Sequence, residues 1–190
     1  MASFGRAQTQ RRAIEQTVES GIIAGILAGL PMAVSALIAS ALRGEGAFTA
    51  MYRVAALVDS SALKESIAFA SVGRDIYYVQ EPFFFGLIMR LAVAGFFGLV
   101  FGLGARAFGL VRALAVPAGI IYGLAIMPFM GFVVLPVAAD AFGAGGAISS
   151  MATGVGWGSW AIEHAVYGLG LGLWPLLRPD DFRSSDGWLA

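Results

Sequence analysis

Four apolar runs, each long enough to cross a bilayer, leave this chain few folds. They extend from Gly21 to Leu42, Phe83 to Ala105, Ala113 to Ala138 and Gly156 to Leu177. A spanning helix needs about 20 apolar residues, and each run meets that length. The expected fold is all-α: a four-helix integral membrane bundle, one domain over residues 1–190. The run after Gly21 ends in Ala39-Ser40-Ala41, which looks like a signal-peptide cleavage site, but it is too long for one and is expected to stay as an anchor.

Only 13% of residues are charged, against about 25% in an average soluble domain. Twelve basic and twelve acidic residues cancel, so no global field draws in nucleic acid. There is no cysteine, which excludes disulfides, thiolate zinc sites and thiol catalysis. A single histidine excludes a multi-histidine metal site within the chain.

Arginine placement predicts an orientation. Arg6, Arg11 and Arg12 precede the first run, Arg106 and Arg112 lie in the second connection, and Arg178 and Arg183 follow the last run. Alternating spans put all seven on one side, so both termini are expected in the cytoplasm of a cell with the chain in its inner (plasma) membrane. Arg43, Arg53, Lys64 and Arg74 are spread over the long first external connection. That connection carries apolar residues near helical spacing over 47–71, including Phe48, Met51, Ala55, Val58, Ala62 and Phe69. It predicts an amphipathic helix on the bilayer surface, or a platform for an external partner. Tyr77, Tyr78, Trp157, Trp160 and Trp174 suit an aromatic belt at the interfaces.

Small residues recur every four positions: Gly21, Gly25, Gly29 and Ala33; Ala94, Gly98 and Gly102; Gly119 and Gly123; Gly168 and Gly172. Such stripes permit close helix contact, within the bundle or with a neighbouring subunit. Arg90 and His164 extend two of them by one turn. On inward-running helices both lie about 10–12 Å beneath the external boundary at 1.5 Å per residue. Arg90 opposite Glu163 lowers the cost of two intramembrane charges, with His164 as a hydrogen-bonding neighbour. The alternatives are a proton or substrate relay and an Arg90 that snorkels to the surface. Pro31 and Pro128 fall at similar depth, with Met32, Met89, Met127 and Met130. These methionines fit packing around kinks, or a soft-metal (copper) site with His164. His164 is also a candidate axial ligand for haem or chlorophyll, with Gly168 leaving room for a flat ring.

The run Glu163-His164-Ala165-Val166-Tyr167-Gly168-Leu169-Gly170-Leu171-Gly172 resembles the His-x-x-Tyr-Gly-x-x-x-Gly ending of small four-span bacterial inner-membrane proteins of the YagU-like and similar groups. The opening Gly21-Ile22-Ile23-Ala24-Gly25 is similar in style. The resemblance implies a four-helix inner-membrane protein with His164, Tyr167 and Gly168 as pattern positions, and implies no reaction.

No nucleophile–base pair or phosphate loop is visible, and Asp180, Asp181 and Asp186 sit in a polar tail, so an enzyme is not expected. The leading expectation is a non-catalytic subunit that scaffolds a larger membrane assembly, respiratory or photosynthetic, with partners in the lipid bilayer and in other membrane subunits or further copies of itself. The alternatives are a small transporter or proton conductor built on Arg90, Glu163 and His164, and a haem- or chlorophyll-binding subunit using His164.

Overall fold

The computed structural model describes residues 2–178. Arg183, Asp180, Asp181 and Asp186 lie outside the described residues. Within them the chain is helical, with no strand. The long elements are α1 (Ala2–Leu42), α4 (Gln80–Ala107), α5 (Arg112–Phe129) and α9 (Trp157–Leu177). Shorter helices fill the connections: α2 (Thr49–Ala55), α3 (Ser61–Ser71), α7 (Gly146–Ser149) and α8 (Met151–Val155). A π-helical turn, Met130–Val134, joins α5 to α6 (Leu135–Phe142) without a break.

Three rods are long and apolar enough to cross a membrane: Arg11–Leu42, Gln80–Ala107 and Arg112–Phe142. They reproduce the first three predicted spans and extend each. The fourth long helix, α9, has 21 residues and is diluted by Gly, Trp, Glu and His. Its inward face carries polar groups, Glu163, His164 and Tyr167 all being buried.

The π turn has a local cause. Pro136 lacks an N–H, so an α-helical ladder leaves the carbonyl four residues earlier unserved. Lengthening the loop by one residue re-routes the ladder, and the Leu135 amide donates to Met130 O, five residues back.

Small residues decide how the rods meet. The Gly21–Gly25–Gly29 stripe of α1 faces Ala94 and Gly98 of α4. Gly119 and Gly123 of α5 face Gly168, Gly172 and the His164 carbonyl of α9. Gly170 packs on Ala28, which docks α9 against α1. Gly102 is buried on α4 along the same stripe. The stripes therefore pair within the chain. Two tyrosines secure the join to α4: Tyr167 donates to Ala94 O at 2.6 Å, and Tyr122 to Phe97 O at 2.7 Å.

The rods alternate in direction. At one end Arg106 reaches Ala13 O and Thr17 Oγ1 on α1, and Arg112 donates to Leu176 O. The other end holds α2, α3, α7 and α8, with a core of Tyr52, Leu63, Ile148, Met151 and Trp160.

The first connection corrects one expectation. A single surface helix over 47–71 does not form; the chain makes α2 and α3, separated at residues 56–60. Met51 and Tyr52 are fully buried, so α2 is not an outward platform. It sinks into the bundle because Gly86 of α4 lets the Met51 carbonyl approach its backbone. Gly46, at φ 97°, turns the chain from α1 toward α2, and Ser40 Oγ holds its carbonyl at 2.8 Å.

Candidate functional site

The charged positions meet at the wall of one cavity of about 290 Å³. It lies toward the connection-rich end, walled by residues of α1, α2, α4, the α5–α6 rod, α7, α8 and α9. Arg90, Glu163, His164 and Tyr167 all line it.

Arg90 forms an ion pair with Glu163, donating from Nη2 to Oε2. The side chains are 12% and 3% exposed, so Arg90 pairs across the bundle rather than snorkelling. His164 departs from the expectation. Its Nδ1 bonds to Trp160 O at 2.8 Å, and its ring lies 5.2 Å from the Trp160 ring. A carbonyl only accepts, so Nδ1 carries the hydrogen and a neutral ring keeps its lone pair at Nε2. Glu163 and His164 are consecutive, about 100° apart around the helix, which is why Arg90 engages the carboxylate while the ring turns back along α9.

Met32, Met89 and Met130 line the cavity together with Met151. Met127 instead packs against the core of the connection-rich end. Among the described residues no group of three or more His, Asp or Glu side chains could hold a metal ion.

Three contributors were not singled out from the sequence as site residues. Arg43, at the end of α1, and Arg53, on α2, both line the cavity. Each holds Glu45 Oε2, at 3.0 and 3.1 Å. Trp160, expected in an interfacial belt, is 5% exposed and forms part of the wall. Their sequence signal is weak, because Arg43, Glu45 and Arg53 read as ordinary loop charges. Only the burial of α2 gathers them.

Burial of Glu45 works to raise its carboxyl pKa, but the Arg43 and Arg53 guanidiniums outweigh it and hold the group below its ordinary value of 4.5. A depressed carboxyl contributes stability that is fully present above the unfolded value and is lost as pH falls through the folded one. The melting temperature in detergent is therefore expected to fall as pH drops below 4.5. Glu45→Gln is expected to lower the neutral-pH plateau and flatten that acid limb. An unchanged acid limb in the variant refutes the linkage.

The cavity's remaining walls are apolar, with Val93, Phe97, Ile126, Val134 and Leu135 among them. Small-molecule sites have this character: mostly apolar lining, a few convergent polar groups, and ~300–1,000 Å³ of space. No family model, curated protein or solved structure matches the chain.

Proposed function

We propose that this chain is a four-span inner-membrane protein, with α9 as the fourth span and both termini cytoplasmic, that binds and carries a small molecule in the cavity between α4 and the α5–α6 rod. The observation that carries this reading is the cavity itself: an apolar chamber with Arg90, Glu163 and His164 in its wall. A dry, fully packed core would have favoured the scaffold reading. The outward apolar residues of the rods, such as Ile88, Ile121 and Ile162, are accounted for by lipid contact alone. Alternation of the rods and arginines at the connection-poor end support the orientation. The resemblance to YagU-like proteins supports four spans and adds no ligand.

Because the chain has no cysteine, Val93→Cys is a clean reporter of access. Val93 lines the cavity, whereas Val100, on the same helix, is 42% exposed on its outer surface. In washed protein reconstituted into phosphatidylcholine vesicles, a small uncharged maleimide is expected to label Val93→Cys and to spare the lipid-facing Val100→Cys. A Val93→Cys that reacts only after denaturation sinks the carrier reading and returns the scaffold reading to first place.

A further inference from the structure

The cavity wall is short of hydrogen-bond acceptors. Among the described residues, the buried side-chain polar atoms without a partner are Arg43 Nε and Nη1, Arg53 Nε and Trp160 Nε1. All four are N–H donors, and all three residues line this one cavity. Buried donors are almost always paired, and an unpaired donor costs the full desolvation of the group.

The charges are unbalanced in the same sense. Arg43 and Arg53 share the single carboxylate of Glu45, while Arg90 is matched by Glu163. Three guanidiniums against two carboxylates leave one positive charge in partly buried surroundings, where an uncompensated charge is expensive. What completes the site is therefore an acceptor bearing at least one negative charge.

The rest of the chamber asks for hydrocarbon. Its mouth faces sideways. α4 packs on α1 and α2, α5 packs on α9, and α4 meets α5 through reaching contacts such as the Tyr122 hydroxyl on the Phe97 carbonyl and the Phe97 ring on Phe129. Phe142, on the α6 side, is 63% exposed while it lines the cavity. Met89 and Val93 on α4 are only partly covered. In a chain that spans the bilayer, this cleft opens toward acyl chains on one side, and Arg43, with its side chain 25% exposed, keeps its other end within reach of water.

On the carrier reading above, we infer that the ligand is a bilayer-derived single-chain amphiphile with an anionic oxyacid head, a carboxylate or phosphate monoester. Its head seats against Arg43, Arg53 and Trp160, and its chain lies along the α4–α6 cleft. The unpartnered N–H groups of Arg43 and Arg53 supply the donors for the head, and guanidiniums suit oxyacids because the planar fork matches two oxygens at once.

The test uses Val93→Cys in washed protein in phosphatidylcholine nanodiscs, scored by protection from the maleimide. Decanoate is expected to protect, and decanol and decyltrimethylammonium to protect at least about tenfold more weakly, because hydrogen bonds to a charged head are lost. Acetate and inorganic phosphate, which lack a chain, are expected to give no protection. Arg53→Gln in the same background is expected to weaken decanoate protection by about tenfold. If that variant fails to fold, the comparison of heads on the Arg53-bearing protein still decides. Protection by lysophosphatidic acid supplied in the nanodisc, as well as by decanoate, supports the bilayer source. Protection by decanoate from water with none from the membrane-supplied lipid overturns that source. Equal protection by decanol overturns the oxyacid head, and equal protection by acetate overturns the chain. Failure of every amphiphile while Val93→Cys still labels overturns this inference alone, whereas failure of Val93→Cys to label overturns the carrier reading beneath it.

Discussion

Arg90→Met is expected to destabilise the protein by ~3–5 kcal/mol, because it leaves a carboxylate buried without its counter-charge. Glu163 is 3% exposed and its partner sits on another helix, so removing the guanidinium leaves the carboxylate with no counter-charge at its side. Glu163→Gln alone strands a guanidinium in the same layer. Combining the two removes both charges, and the double variant is expected to lose clearly less stability than the sum of the single changes. Thermal unfolding in detergent across the four proteins measures the coupling. Strict additivity refutes the pair. The same cycle bears on function: a double variant that recovers stability but whose cavity reporter loses decanoate protection separates the architectural task of the pair from a role in ligand binding.

Two glycines on one helix are expected to respond to alanine with opposite signs. At Gly98 an added Cβ sits 2.5 Å from Gly25 Cα and 2.6 Å from Gly25 N, so α1 and α4 must separate. Backbone cannot rotate aside as a flexible side chain can, and Gly98→Ala is expected to cost ~1–3 kcal/mol in overpacking. At Gly104 an added Cβ meets nothing within 4 Å. Gly104→Ala is expected to stabilise by up to ~1 kcal/mol, since alanine restricts the unfolded chain and favours helix. Melting temperatures of the two variants in one detergent give the comparison. A stabilising Gly98→Ala refutes the α1–α4 contact, and a destabilising Gly104→Ala refutes the open environment there.

The sequence by itself determined the all-helical class, the positions of the long apolar rods and the layer in which Arg90 and Glu163 meet. Each of these rests on spacing along one segment: run length sets a rod, a four-residue recurrence of small side chains sets a packing face, and equal distance from the start of an apolar run sets a depth. Arg90 and Glu163 were also the only opposite charges at that depth, so their pairing followed from the high cost of leaving either alone. Tertiary structure decided the rest. Whether α2 lies on the surface or inside depends on Gly86, some 30 positions further along, offering room for the Met51 carbonyl. No local pattern over 47–71 contains that information. The partner of His164 turned on which face of α9 packs inward, because that choice sends its ring back to Trp160. The cavity was decided last and by a scarcity of contact: α4 and α5 each spend their small faces on another helix, so longer side chains such as Tyr122 bridge them, and space remains in the cavity that Arg43, Arg53 and Trp160 line.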